Sequence, residues 1–387
     1  MVRFFKVSIA CLMISTTLLG CNKQVSNSMS QEHETYASIV QHNVTEGLQT
    51  ENEDRQDLKY VNQEIQENLF IDAEVIIPSG QQYSTHTLKM VDCNPDRLFG
   101  IFCPEGIGGY TVEDLRKNHG HIIYHESSGK ELIIYEDSIS YTTYNFNMEE
   151  RPMQDIKNLM YYFTLEYPDS VPHDLSFMTV AEMEECGRHI LNQIGIAFEP
   201  KLNKIATLSG DEILNFQNEY FDDQNAPDSK TPTTLTAAED TCYMQFNFTY
   251  RGIPLIGLDE PTISTYESWE PSPSVTATIL LNSEGIQVCN ISYPCTIETT
   301  SASQPILSLD EAINALNTKY DLVILYEPIT FTGIHLEYIP RKGEDTIILT
   351  PYWCFIETNE SLLGKPGYLG NADRFNAHTG KDLAYGG

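Results

Sequence analysis

Three times in this chain a hydroxyl residue stands three positions ahead of a glutamate at the head of an apolar run with helical spacing. The three are Thr179-Val-Ala-Glu182, Ser209-Gly-Asp-Glu212 and Ser308-Leu-Asp-Glu311. In such a capping box the hydroxyl accepts a hydrogen bond from an orphan N–H of the first turn, and the glutamate reaches back to the cap N–H. Each box therefore predicts a helix start. Val180, Met183, Ile190, Leu191 and Ile194 supply one apolar face; Ile213, Leu214 and Tyr220 a second; Leu309, Ala312, Ile313 and Leu316 a third.

Strand patterns surround these helices. Met244, Phe246, Phe248 and Tyr250 alternate with Gln245, Asn247 and Thr249, then turn at Arg251-Gly252. Val275–Leu281, the turn Asn282-Ser-Glu-Gly285 and Ile286–Tyr293 predict a hairpin. Ile329–Ile339, the turn Lys342-Gly-Glu-Asp345, Thr346–Glu357 and a last strand ending at Asn376-Ala-His-Thr-Gly380 follow the third helix. Upstream, Leu58, Val61, Ile65 and Leu69 recur at helical spacing and predict an amphipathic helix over 54–68. Phe70–Ile77, closed by Pro78-Ser-Gly80, then Ser84–Val91, His121–His125, Leu132–Glu136 and Ile139–Tyr144 predict strands. Helices beside antiparallel strands define an α+β class, with sheets packed by helices in tandem helix-then-sheet units.

The N-terminus has a different logic. Arg3 and Lys6 precede the uncharged run Val7–Leu19, whose 13 residues fall short of the roughly 20 needed to span a bilayer. The run ends Leu18-Leu19-Gly20-Cys21, which resembles the bacterial lipoprotein signal, the lipobox. That resemblance implies acylation of the Cys21 thiol and cleavage just before it. Residues 1–20 are then a signal peptide, and the mature chain stands on the outer face of the cell membrane. An ordinary secretory signal or an uncleaved anchor is the other reading of these residues. Residues 21–53 are polar and aperiodic and predict a flexible tether; a chain of about 30 residues reaches roughly 30 Å. The remainder divides into an N-terminal α+β domain, 54–176, and two further units, 177–300 and 301–387.

Charge narrows the partners. The 387 residues hold 23 Lys and Arg against 55 Asp and Glu, a net charge of −32. Loss of residues 1–20 removes Arg3 and Lys6 and no acid, which leaves −34. Phosphate backbones are bound through Lys and Arg clusters, so nucleic acid is excluded as a partner. The 22 Tyr, 16 Phe and 2 Trp argue for packed structure.

Leu281-Asn-Ser-Glu-Gly285 and Phe375-Asn-Ala-His-Thr-Gly380 occupy similar places late in the last two units. Duplication and shared turn chemistry both account for that likeness. The helix at Ser308, the run Pro351-Tyr-Trp-Cys-Phe355 and the terminal Phe375-Asn-Ala-His-Thr-Gly-Lys381 resemble the closing unit of PepSY-like and YycH/YycI-type extracytoplasmic proteins. The layout of the mature chain is similar to that of uncharacterised clostridial-type lipoproteins. The resemblance implies a binding or regulatory module. YycH and YycI are held by transmembrane helices, whereas this chain carries a lipobox.

No catalytic motif stands out. A Gly-x-Ser-x-Gly elbow, His-Glu-x-x-His and a P-loop are all missing. Of nine cysteines, seven lie beyond Cys21, and Cys93/Cys103 and Cys289/Cys295 are close enough to bridge. Burial as small apolar residues is the favoured alternative, since a domain this large needs no staple. His119, His121 and His125 share a strand face and could meet on zinc. Residues 121 and 125 are about 13 Å apart in an extended strand, which favours a solvated polar face instead. Asp222-Asp-Gln-Asn225 lacks the glycine and distant glutamate of a calcium loop. Trp353 reads as core. No cofactor is expected. The expectation is a membrane-anchored, non-enzymatic module that binds an envelope protein or peptide. An envelope hydrolase with an unrecognised site and a solute-binding lipoprotein are the alternatives.

Overall fold

A computed structural model describes residues 57–77, 82–103, 106–127, 129–143, 152–222, 235, 237–257, 274–342, 346–357 and 371–383. These belong to one compact unit, Gln56–Gly387. The fold is α+β: antiparallel sheets packed by helices. The lipobox residues Leu18, Leu19, Gly20 and Cys21, the tether, and most of the Asp222–Asn225 segment lie outside the described residues.

The first element corrects an expectation. Residues 57–66 form a strand, β1 (Asp57–Gln66), where a helix was predicted. It pairs antiparallel with β2 (Leu69–Ile77) through a two-residue turn in which Asn68 takes φ 64. Asparagine tolerates that left-handed conformation, which a tight hairpin demands. The spacing of Val61 and Ile65 fits either period, because both also fall on one face of a strand. In β2, Leu69, Ile71, Ala73 and Val75 are buried and alternate with outward Asp72, Glu74 and Ile76. Pairing to that strand outweighs the helical option.

The chain continues through β3 (Gln82–Tyr83), β4 (His86–Met90), α1 (Pro95–Phe102), β5 (Tyr110–Asp114), α2 (Arg116–His119), β6 (His121–Glu126), β7 (Glu131–Tyr135) and β8 (Ser138–Thr142). Next come α3 (Pro152–Glu166), α4 (Val180–Ile194), β9 (Glu199–Leu208), α5 (Gly210–Asp222), β10 (Thr241–Tyr250), β11 (Ile253–Pro254), β12 (Thr276–Asn282), β13 (Gly285–Ser292) and β14 (Cys295–Thr300). The last are β15 (Gln304–Pro305), α6 (Leu309–Tyr320), β16 (Ile329–Lys342), β17 (Ile347–Glu357) and β18 (Asn371–Asn376).

All three capping boxes form. Thr179, Ser209 and Ser308 each accept from the backbone N–H of Glu182, Glu212 and Glu311 at 3.3 Å, and each glutamate accepts from its cap N–H at 2.7–2.9 Å. The helices α1 and α3 were not predicted. Asn94 caps α1 and Pro95 starts it, a local start signal that the sequence carries. Arg97 of α1 donates to the carbonyls of Gln193 and Ile194, closing the C-terminus of α4 where Gly195 turns left-handed.

The first sheet runs β1-β2-β16-β17-β4-β14, with β18 also on β17, and only β2 and β16 are parallel among its described pairs. The second runs β9-β10-β12-β13-β8-β7-β6-β5, with β11 at the end of β10. Both sheets draw strands from either side of residue 177, and the first sheet contains β14 from before residue 301 together with β16, β17 and β18 from after it. The segments 54–176, 177–300 and 301–387 are therefore not separately packed bodies.

Burial explains the strand sequences. The central strands β10, β12 and β13 of the second sheet are covered on both faces, whereas β5 at its edge is largely exposed. Met244, Phe246, Phe248, Ile279 and Cys289 face the main core with α1 and α4, while Tyr243, Leu280 and Val288 face α3 and α5. Hence the unbroken apolar run in β12. Gly187 of α4 permits that contact: a Cβ there would stand 2.7 Å from the Phe246 ring. The first sheet buries Ile334, Leu336, Tyr338, Trp353, Phe355 and Phe375 beneath Leu309, Ala312 and Leu316 of α6. Its opposite face carries Asp72, Glu74, His335, Glu337, Cys354 and Arg374, by the alternation of strand side chains.

Candidate functional site

The polar face of the first sheet holds the densest constellation of reactive side chains. His335 and Glu337 lie two apart on β16, on the same face; Cys354 of β17 is the register partner of His335; Arg374 of β18 is the partner of Cys354. His335 Nε2 lies 3.0 Å from Glu337 Oε1, and Arg374 Nε donates to Glu337 Oε2 at 2.8 Å. Burial by itself would raise the Glu337 carboxyl. The His335 hydrogen bond and the Arg374 charge outweigh it and hold the group at about 2. The Cys354 thiol is fully buried and pushed well up, first by burial and then by the Glu337 charge.

This arrangement is not a cysteine–histidine catalytic dyad. An activated thiol needs a lowered pKa and access, and Cys354 has neither. The His335 nitrogen that a dyad would aim at sulfur is spent on the carboxylate. The donor atoms of His335, Glu337 and Cys354 do lie within 4.8 Å of one another.

A second cluster lies beside α6. Lys319 Nζ is 2.6 Å from Asp373 and 3.0 Å from Asp382, and the Tyr320 hydroxyl donates to Asp373 at 2.8 Å. Burial would lower the Lys319 amine, but the two carboxylates outweigh it and raise it. A protonated lysine offers no nucleophile. Beside it, Leu307, Ala315, Phe375 and Gly380 line an open groove of about 430 Å³.

The histidines of the N-terminal region do not converge. His121 and His119 rings are 6.0 Å apart, and His121 Nδ1 meets the His119 carbonyl. His125 instead sits 3.0 Å from Glu131 and 3.7 Å from Glu113. None of the seven described cysteines is in a disulfide, so neither Cys93/Cys103 nor Cys289/Cys295 is bridged. Trp353 is buried and donates its indole N–H to Leu307 O at 3.0 Å.

A third feature is an edge rather than a pocket. Among the described residues no strand pairs with the outer side of β1, a ten-residue strand. Tyr60 projects from it, 61% exposed. Near the β1–β2 turn, the loop between α6 and β16 exposes Leu322 (97%), Ile324 (77%) and Tyr326 (90%), together with Val323. Asn68 holds the loop by donating to Leu325 O at 3.0 Å, and Ile329 N–H donates to Asn68 O. The surroundings are acidic, with Glu64, Glu67, Asp321 and Glu327. No sequence pattern points to this surface, because Val61 and Ile65 fit a helical period as well as a strand.

Among the described residues no helix is long and apolar enough to cross a membrane. No protein family matches the chain, and no curated protein matches it. Among solved structures, the chain is similar to an uncharacterized protein from Eubacterium rectale ATCC 33656, solved by crystallography at 1.45 Å resolution. The identity is 16% and the TM-score 0.47, over 84% of this chain and 92% of that one.

Proposed function

We propose that this chain is a lipid-anchored protein of the extracytoplasmic membrane face that binds, without catalysis, an extended segment of another envelope protein or peptide along β1. The observation that carries this reading is the outer side of β1, unpaired among the described residues, with the exposed apolar loop beside its turn. A strand edge offers a row of N–H and C=O groups to an incoming strand, and flanking apolar side chains supply specificity. Leu322, Ile324 and Tyr326 form an exposed cluster of a kind that marks interaction surfaces. The acidic rim favours a partner segment that carries lysine or arginine. Cys21 would bear the lipid, and the polar tether would give the domain its reach.

The test is site-specific photocrosslinking from position 60 in intact cells, followed by recovery from membranes. A single stoichiometric partner crosslinked at Tyr60, and lost on Val61→Pro, is the expected result. Repeated recovery of uncrosslinked protein alone would refute the proposal.

A further inference from the structure

We infer that His335, Glu337 and Cys354 form a binding site for a borderline-soft divalent cation of the zinc class, with Arg374 as the group that fixes the carboxylate. The three donors come from two adjacent strands whose register is set by eleven matched pairs. Their ligand atoms already lie within 4.8 Å of one another, and His335 Nε2 and Glu337 Oε1 are 3.0 Å apart. In a tetrahedral zinc site, bond lengths of about 2.0 Å to nitrogen and 2.3 Å to sulfur place neighbouring ligand atoms roughly 3.3–3.7 Å apart. Small side-chain rotations on a rigid sheet bridge the difference.

The donor set selects the ion. Thiolate and imidazole bind zinc-class ions and not magnesium or calcium, which take oxygen ligands. Three protein ligands leave a fourth position, and His335, the most exposed of the three, marks the side from which an ion enters. Binding displaces the Cys354 thiol proton to solvent, so metal uptake releases acid. The thiolate and carboxylate together neutralise the ion, and Arg374 stays on the second carboxylate oxygen. That is the outer-shell partner a ligating carboxylate requires. Energetics point the same way: a buried ionic cluster holds a sheet together no better than apolar side chains of equal volume. A strand otherwise made of Ile334, Leu336, Tyr338 and Ile339 has no packing need for His335 and Glu337.

The experiment uses the full chain carrying Cys21→Ser, titrated with Co²⁺ and then Zn²⁺. One Co²⁺ per chain should give near-ultraviolet thiolate-to-metal charge-transfer absorption, bleached by one equivalent of Zn²⁺. Zinc should also raise the melting midpoint. Cys354→Ser should abolish the charge-transfer band, and His335→Gln should weaken zinc binding by about 100-fold. Far-UV circular dichroism checks the fold of both variants; if Cys354→Ser does not fold, Glu337→Gln replaces it and should weaken binding similarly. Absence of the thiolate band, or binding unchanged in the variants, overturns the inference and leaves the cluster a metal-free ion network.

Discussion

Arg374 and Glu337 form a largely enclosed ion pair, Nε to Oε2 at 2.8 Å, across β17 from one another. Removing one member of such a pair strands the other charge in a poorly hydrated site. Arg374→Met should therefore destabilise the fold by about 3–5 kcal/mol. The double variant Arg374→Met/Glu337→Leu should recover most of the loss. Urea denaturation measures both, and equal losses in single and double variants would contradict the account.

Gly187 sets how closely α4 approaches β10. A methyl at that position meets the Phe246 ring at 2.7 Å and the Met244 methyl at 3.1 Å. Gly187→Ala should cost about 1–3 kcal/mol by overpacking, despite alanine's better helix propensity. Phe246→Leu in the same chain should relieve part of it. A gain in stability for Gly187→Ala would show that the helix can move away.

His86 makes stability depend on pH. It is buried on β4, with Nδ1 3.0 Å from the Thr300 hydroxyl and its ring edge-on to Tyr250. Burial first, and then the charge of Arg251, lower it below its ordinary 6.5. Below pH 6.5 the unfolded chain binds a proton that the folded chain refuses. The contribution is thus complete above that pH and is lost as pH falls towards the folded-state value. His86→Phe should flatten the stability profile between pH 6.5 and 5. An unchanged slope would assign that dependence to other groups.

The caps act locally. Thr179→Ala and Ser308→Ala each remove one side-chain acceptor from a helix start, and each should cost about 1 kcal/mol. The two sites share no partner, so the double variant should show the sum. Chemical denaturation of the single and double variants checks both statements.

The proposed anchorage makes Cys21 its test. One acyl chain gives marginal membrane binding, whereas two or more hold a protein stably. If the lipobox is read as such, Cys21→Ala should move the chain from the membrane fraction to the medium while its circular dichroism stays unchanged. Retention in the membrane would count against lipid anchoring. With residues 1–20 removed, as the proposal requires, the charge of −34 would keep such a domain apart from an anionic surface.

The three boxed helices and most strands were legible because caps, turns and alternation are local physics. The Asn282–Gly285 hairpin appears as predicted, with Gly285 at φ 104. The strand β1 was not legible. Val61 and Ile65 satisfy both periods, and only pairing with β2 decides between them. Nor was the His335–Glu337–Cys354 cluster: His-x-Glu and a cysteine 17 positions away carry no signal until β16 and β17 are in register.

By itself the sequence determined the class, three of the helix starts, most turns and the acidic balance, since each depends on residues within a few positions of one another. Tertiary structure alone decided that two sheets interleave strands from the whole chain, which side of β1 stays unpaired, and which polar groups meet on one face. Those outcomes follow from long-range strand pairing, whose energy lies in hydrogen bonds and buried surface between segments hundreds of residues apart, as between β2 and β16.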